Sequence, residues 1–220
     1  GIDSGAGDDS INNGGPVILD VDATAKGVAV GLEIVGAVSG DAQSGGALSD
    51  ARTEAGASAT GLAAGSDADT VLNTGLIDVE SRSTATGFAG SFSVTVSEQG
   101  AASSGGGVSD ASAEATSAAL GIDGGDGDDT ITNITGPDPG IHLLADATAT
   151  GVGVTWTAAG SVTGGVQGGD ALSGARTDAE ATVTGISGGG GRDSISSASV
   201  IDAKAETTAT AVSAGYSASV

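Results

Sequence analysis

The chain has 220 residues, of which 41 are glycine, and it contains no cysteine, no methionine and only two Phe, one Trp and one Tyr. Its 28 acidic and 6 basic residues give a net charge of −22, which argues against binding to nucleic acid or to anionic membranes, because their phosphates would repel it. No apolar run approaches the length of a membrane-spanning helix, so we expect no membrane insertion. Small side chains dominate and bury little apolar area, so regular backbone hydrogen bonding must hold any folded form together.

A stretch rich in glycine and aspartate recurs four times along the chain. It is GIDSGAGDDSINN from Gly1, GLAAGSDADTVLN from Gly61, GIDGGDGDDTITN from Gly121 and GISGGGGRDSISS from Gly185. The starts are 60, 60 and 64 residues apart. The sequence therefore predicts a single repeat array with coils 1–60, 61–120, 121–184 and an incomplete 185–220. The four additional residues of the third coil lie around 135–140, where Pro and Gly predict a turn.

Alternation of apolar and polar residues predicts three strands in each coil. In the first coil, residues 17–27 carry apolar side chains at odd positions. After Gly27 the apolar residues, from Val28 to Ile34, move to even positions. This change predicts a corner at Gly27 and a second strand whose even positions face the core. The third strand, at about 48–60, alternates Ala and Thr with charged residues.

Alignment of the coils brings similar residues into columns. One column holds all but one of the aromatic residues, and we expect it to fill the core: Leu32, Phe92, Trp156 and Tyr216. Two others form T-x-T ranks that we expect to face outward: Thr24, Thr84, Thr148 and Thr208, followed by Lys26, Thr86, Thr150 and Thr210. Such columns are typical of an all-β, parallel β-solenoid, a fold of the β-helix or β-roll type, in which each coil pairs with the next. Its open sheet edges invite end-to-end self-association.

The recurring stretch matches the pattern G-G-x-G-x-D-x-U, where U is a large apolar residue. The match is complete in the third and fourth coils, has Ser4 in the first glycine position of the first coil, and is degraded in the second coil. This pattern resembles the RTX (repeats-in-toxin, hemolysin-type) calcium-binding repeat. The resemblance implies that glycine carbonyls and one aspartate per turn bind Ca²⁺ between stacked turns. The implied calcium ligands are, first, Asp9, Asp69, Asp129 and Asp193, and less directly Asp3, Asp8, Asp67, Asp123 and Asp128.

The arrangement departs from the family in one respect. RTX nonapeptides normally follow one another directly, whereas here one motif occurs in each coil of about 60 residues. We expect the turns to stack along one edge of a wide slab, with calcium neutralising their charge. The second turn lacks two glycines and is expected to bind weakly, and Arg192 is expected to replace an ion in the fourth turn. The alternative is that these are simply solvated turns without a ligand, because Gly and Asp favour turns.

These observations predict a structural protein and not an enzyme. His142, the only histidine, has no Ser or Cys partner at a recognisable spacing, so a catalytic triad is not expected. The resemblance implies an extracellular location, in a secreted bacterial surface fibre, biofilm matrix protein or adhesin stalk whose folding calcium triggers. Two alternatives are an ice-binding solenoid that uses the T-x-T ranks, and the calcium-binding secretion domain of an exported enzyme. The chain starts within a repeat motif, as expected of an excised piece or of a mature fragment.

Overall fold

The structure, a computed structural model, describes residues 1–134 and 140–220, and the turn predicted around 135–140 therefore lies almost entirely outside the described residues. The described part consists of strands and connecting turns. The strands are β1 (Ile2–Asp3), β2 (Ser10–Asn13), β3 (Val17–Ala37), β4 (Ala42–Gln43), β5 (Leu48–Ala63), β6 (Thr70–Asn73), β7 (Ile77–Ser97), β8 (Ala102–Ser103), β9 (Gly107–Asp123), β10 (Thr130–Asn133), β11 (Ile141–Ser161), β12 (Val166–Gln167), β13 (Ala171–Ser187), β14 (Ser194–Ser197) and β15 (Ile201–Ser219).

These strands form four parallel sheets, and every strand pairs with the equivalent strand of the next coil. The long sheet has the order β15-β11-β7-β3, and the opposite sheet has the order β1-β5-β9-β13. Two narrow sheets, β14-β10-β6-β2 and β12-β8-β4, connect them at the two sides. The all-β, parallel β-solenoid is thus confirmed. Among the described residues no helix is long and apolar enough to cross a membrane.

Residues that share a column in the alignment are paired between adjacent strands of the long sheet. Thr84 lies between Thr24 and Thr148, and Phe92 lies between Leu32 and Trp156. Because parallel strands pair in register, a residue and its counterpart in the next coil lie directly beside each other. The two Thr ranks also face outward, as predicted, since the residues that alternate with them are the inward alanines of the long sheet.

The corner predicted at Gly27 does not occur. β3 runs straight from Val17 to Ala37, and its odd positions face inward along its whole length. Leu32 is therefore 68% exposed and Tyr216 60% exposed, so the expectation that the aromatic column fills the core is wrong. Each complete coil has two long strands and two short ones. The first and second strands predicted from the sequence form a single long strand.

The interior changes composition from one side of the slab to the other. Next to the Gly/Asp turns it is filled by large aliphatic side chains, which include Leu62, Ile77, Ile122, Ile141 and Leu143. The middle is made of alanine: Ala55, Ala85, Ala113, Ala115, Ala147 and Ala149. On the far side it is lined by hydroxyl groups, such as the buried Ser91, Ser93, Ser109, Thr155 and Thr157. The apolar core therefore does not extend across the whole width of the slab.

Close approach of the two broad sheets explains why the aromatic column faces outward. A Cβ at Gly31 would collide with the carbonyl oxygen of Leu48, and one at Gly153 would collide with that of Gly174. At Gly31 and Gly153 no larger side chain fits between the two backbones, because it would force the sheets apart. The bulky residues of this half of the long sheet are therefore on its outer face.

Candidate metal centre

The four Gly/Asp turns stack in register along one side of the slab. Bridges between neighbouring turns join Ala6 to Ser66, Ser66 to Asp126 and Asp126 to Gly190. Several turn glycines have positive φ, for example Gly125 (φ 90) and Gly127 (φ 140), a conformation that is strained for other residues. The repeated glycines of the motif are thus explained by backbone geometry. In the second turn Asp67 takes the position of such a glycine, with φ 79.

One aspartate from each turn points towards the interior, and we call these four residues the inner aspartate column: Asp9, Asp69, Asp129 and Asp193. They are linked from coil to coil by hydrogen bonds from backbone to side chain. The N–H of Asp9 donates to Oδ1 of Asp69 at 2.7 Å, and the N–H of Asp69 donates to Oδ1 of Asp129 at 2.9 Å. The N–H of Asp129 donates to Oδ1 of Asp193 at 3.1 Å. The carboxylates of Asp69, Asp129 and Asp193 therefore each have one oxygen that accepts a hydrogen bond.

The second carboxylate oxygen of this column is buried without a partner. In the described part of the chain, no donor reaches Oδ2 of Asp9, Asp69 or Asp129. Asp69 is 2% exposed and Asp129 is 1% exposed, so water cannot compensate freely. Unpaired buried anionic oxygens are costly unless a cation or a proton neutralises them. These oxygens are therefore a place in the described residues where a cation or a proton would offset a buried negative charge.

The electrostatic environment of Asp129 agrees with this geometry. Burial raises the pKa of its carboxyl, and the neighbouring carboxylates Asp69, Asp193 and Asp128 raise it further, while the hydrogen bond from the N–H of Asp69 lowers it. The ionised form is therefore disfavoured in the protein alone. A cation beside this carboxylate would offset both the cost of burying its charge and the repulsion from the neighbouring carboxylates.

Glycine makes room for the inner carboxylates in the two complete motifs. A Cβ at Gly124 would lie 2.7 Å from Oδ2 of Asp129, and a Cβ at Gly188 would lie 2.5 Å from Oδ2 of Asp193. In the third coil the first glycine of the motif thus lies against the unpaired Oδ2 of Asp129. Ser4 and Ala64 occupy this position in the first two coils, where the motif is incomplete.

The other predicted ligands are located outside this column. Asp8 and Asp128 are exposed, and their carboxylates accept the N–H groups of Ala68 and Arg192 in the next turn, at 3.1 and 2.9 Å. Arg192 thus contacts Asp128 through its backbone. Asp67 is exposed on the turn. Asp3 and Asp123 precede the turns at the ends of strands in the opposite sheet, where Ala63 pairs with both, so they are not direct neighbours.

The residues present fit a hard cation with oxygen ligands only if the backbone contributes. Within residues 1–134 and 140–220 no group of three or more acidic, histidine or cysteine side chains is gathered as a metal cluster. Each turn supplies one inner carboxylate, so the remaining oxygens would have to be backbone carbonyls of the turns. Ca²⁺ takes 6–8 oxygens, including backbone carbonyls, so this donor set suits Ca²⁺ better than metals that need nitrogen or sulfur.

A second buried column was not predicted from the sequence. Nδ2 of Asn13 donates to Oδ1 of Asn73 at 2.7 Å, and Nδ2 of Asn73 donates to Oδ1 of Asn133 at 2.8 Å. Nδ2 of Asn133 then donates to Oγ of Ser197 at 3.1 Å. These residues follow the inner aspartates by four positions in every coil, so the aligned repeats contain the signal. We call Asn13, Asn73 and Asn133 the asparagine column. It lies at the end of the short strand that follows each turn, and its hydrogen bonds join neighbouring coils without any ion.

Comparison with known proteins gives no match. No family model, curated protein or solved structure matches this chain. The functional argument therefore depends on the residues themselves.

Proposed function

We propose that this chain is a structural, non-enzymatic solenoid that binds calcium in its stacked turns. The observation that carries the proposal is the inner aspartate column, in which three successive carboxylates each have a buried oxygen without a donor in the described residues. Asp9, Asp69, Asp129 and Asp193 would hold the ions together with backbone carbonyls of the turns. Bound calcium would supply positive charge that links neighbouring coils.

The low number of carboxylates indicates weak binding. With about one inner carboxylate per turn, we expect dissociation constants of roughly 10⁻⁴–10⁻³ M, the range of extracellular calcium modules. Such sites fill outside cells, where calcium is abundant. The proposal therefore extends to an extracellular location and to a part in a secreted bacterial surface fibre, matrix protein or adhesin stalk.

Open sheet edges support end-to-end assembly. β3 and β15 are the outermost strands of the long sheet, and β13 and β14 are outermost in two other sheets at the same end as β15. An outermost strand presents N–H and C=O groups that another copy can pair with. Stacking of further coils would continue the aspartate and asparagine columns, which suits a fibre or stalk.

Isothermal titration calorimetry with CaCl₂ tests the proposal. Wild type should bind calcium, and Asp129→Asn should lose at least one site, because the amide keeps an acceptor for the N–H of Asp69 but carries no charge. Asp50→Asn, on the exposed outer face of the opposite sheet, is the matched control and should bind like wild type. Absence of calcium binding to wild type, or equal loss in both variants, would refute the proposal.

The two Thr ranks favour ice binding as a second candidate function. They face outward in register, and regular hydroxyl and methyl groups on a flat sheet can order water. Lys26 interrupts one rank, and the neighbouring column contains Arg82 among three acids, which weakens this candidate. Thermal hysteresis of the wild-type protein, abolished by Thr148→Tyr, would favour it over the calcium proposal.

A further inference from the structure

The outer face of the long sheet is apolar over half of its width. From Val28 onward in β3, and at the equivalent positions of β7, β11 and β15, every outward residue is uncharged. We call this surface the apolar patch, and its residues are Val28, Val30, Leu32 and Ile34; Phe88, Gly90, Phe92 and Val94; Val152, Val154, Trp156 and Ala158; and Val212, Ala214, Tyr216 and Ala218.

The patch lies over a polar interior. Behind it, Oγ of Ser109 and Oγ1 of Thr155 are 2.8 Å apart, and Oγ1 of Thr155 donates to the carbonyl of Leu172 at 2.6 Å. Oγ1 of Thr157 donates to the carbonyl of Gly169 at 2.9 Å. In this half of the long sheet most inward side chains are small or polar, and the large apolar ones are mostly on the outer face. A sheet normally buries its apolar face against another layer, so this pattern indicates a layer outside the coil.

We propose that the apolar patch pairs face to face with the same patch of a second copy of this chain. The patch is four columns wide and four coils high, which corresponds to an area of about 500 Å² per copy and about 1,000 Å² per pair. This is at the lower limit for a specific interface, so four coils should pair weakly. Because the area grows with every coil, a longer array would pair tightly.

The distribution of charge selects the orientation of the two copies. With a net charge of −22 two copies repel each other over most of their surface, but the patch itself carries no charge. The charged columns of the long sheet, which include Asp22 and Arg82, lie on one side of the patch only. A two-fold axis parallel to the solenoid axis places the charged halves of the two copies on opposite sides. A two-fold axis parallel to the strands would instead place the charged half of one copy directly over the charged half of the other.

The spacing of the two surfaces also matches. Both copies have the same separation between coils, so side chains of one can lie between those of the other along the whole array. Face-to-face sheets pack about 10 Å apart, a distance that Val, Leu, Phe and Trp side chains fill. The proposal requires neither calcium nor end-to-end stacking, and its failure would leave the calcium proposal unaffected.

Sedimentation velocity, combined with the fluorescence of the protein's single tryptophan, tests the pairing. Trp156 lies in the patch, so its emission should be blue-shifted at high concentration and move to longer wavelength on dilution, together with a twofold fall in mass. The experiment is run in EDTA and again in calcium. A mass that stops at two copies indicates pairing of faces, whereas end-to-end stacking would continue to larger species.

Variants separate the patch from other surfaces. Phe92→Thr with Trp156→Thr, and independently Leu32→Glu in the outermost coil, should weaken pairing by at least about tenfold, as loss of central apolar anchors typically does. Leu172→Thr is the control, because Leu172 is an equally exposed leucine on the opposite sheet. Circular dichroism checks that each variant is folded. A wild type that remains monomeric at the highest concentration, or patch variants that associate like wild type, would overturn the proposal.

Spin labels test the orientation. The chain has no cysteine, so Thr84→Cys gives a single labelling site on the charged side of the patch. The proposed axis separates the two labels by roughly 45 Å, whereas the alternative axis brings them to about 10 Å. A distance near the shorter value would contradict the orientation.

Discussion

At the scale of single residues, the inner and outer aspartates of one turn have different roles although they are adjacent in sequence. Asp129 is buried and has an unpaired oxygen, while Asp128 is exposed and accepts the N–H of Arg192. Sequence comparison could identify both as candidate ligands. The resemblance ranked Asp129 above Asp128, but it could not show that Asp129 alone is buried with an unpaired oxygen, because that depends on the backbone of the folded turn.

Asp129→Asn should stabilise the protein when calcium is removed. Burial raises the pKa of Asp129, so the folded state disfavours its charge, and the neutral amide removes this cost. We expect the free energy of unfolding in EDTA to rise, measured by urea denaturation at neutral pH. Asp50→Asn, on an exposed surface, should change it little. A marked loss of stability in Asp129→Asn would mean that the charge itself holds the turn.

Asn73→Ala should be strongly destabilising with or without calcium. Asn73 is fully buried, and it both accepts from Asn13 and donates to Asn133. Its loss leaves a buried donor and a buried acceptor unpaired, at about 1–3 kcal/mol each. Thermal unfolding in EDTA measures this, with Asn12→Ala, an exposed neighbour, as the control. Equal melting temperatures for the two variants would show that the asparagine column does not hold the coils together.

His142 should make a small contribution to stability that depends on pH. Nδ1 of His142 lies 2.8 Å from Oδ1 of Asp78, and this hydrogen bond raises the pKa of the histidine. The protonated form is favoured in the folded state, so the contribution is full below the unfolded pKa of about 6.5 and is lost as pH rises through the folded pKa.

His142→Gln should remove that dependence. Because both side chains are partly exposed, the effect should be below about 1 kcal/mol. Urea midpoints of wild type and variant, measured from pH 5 to pH 9, should converge at high pH and differ at low pH. A difference that grows with pH would contradict the assignment.

At the scale of elements, the register between strands could be predicted, whereas the inward face of the long strands could be predicted only as far as Gly27. Aligning repeats fixes which residues are neighbours, because equivalent positions of a parallel solenoid pair directly. The even positions after Gly27 were expected to face the core because they are apolar. That inference failed since the broad sheets approach too closely for large side chains at Gly31 and Gly153.

Gly153→Val should therefore destabilise the solenoid. Its Cβ would collide with the carbonyl oxygen of Gly174 in the opposite sheet, and backbone cannot yield as a flexible side chain does. We expect a loss of about 1–3 kcal/mol in urea denaturation. Gly160→Val in the same strand is the matched control, because its Cβ would face outward, no closer than 3.6 Å to the carbonyl oxygen of Val220. Equal stability of the two variants would contradict the claim that the two broad sheets lie too close together at Gly153 for a larger side chain.

At the scale of the whole molecule, a strongly acidic chain with a limited apolar core needs additional stabilisation. The aliphatic cluster lies beside the Gly/Asp turns, so the best-packed part of the core is also the part that carries the stacked carboxylates. Calcium in the turns would reduce the repulsion between stacked carboxylates on the side of the slab where the aliphatic cluster packs the coils together. Composition and the repeated motif could predict the acidic edge, but not the unpaired inner oxygens on which the proposal depends.

The measurement that tests the central claim most directly is thermal unfolding followed by circular dichroism, in millimolar calcium and in EDTA at equal ionic strength. If calcium binds the folded turns, the melting temperature should rise with calcium concentration, and a concentration of 100 times Kd should add about 2.7 kcal/mol per site. Magnesium should have a smaller effect, because it demands a more regular set of oxygens. A melting temperature that is the same in calcium and in EDTA would contradict the account.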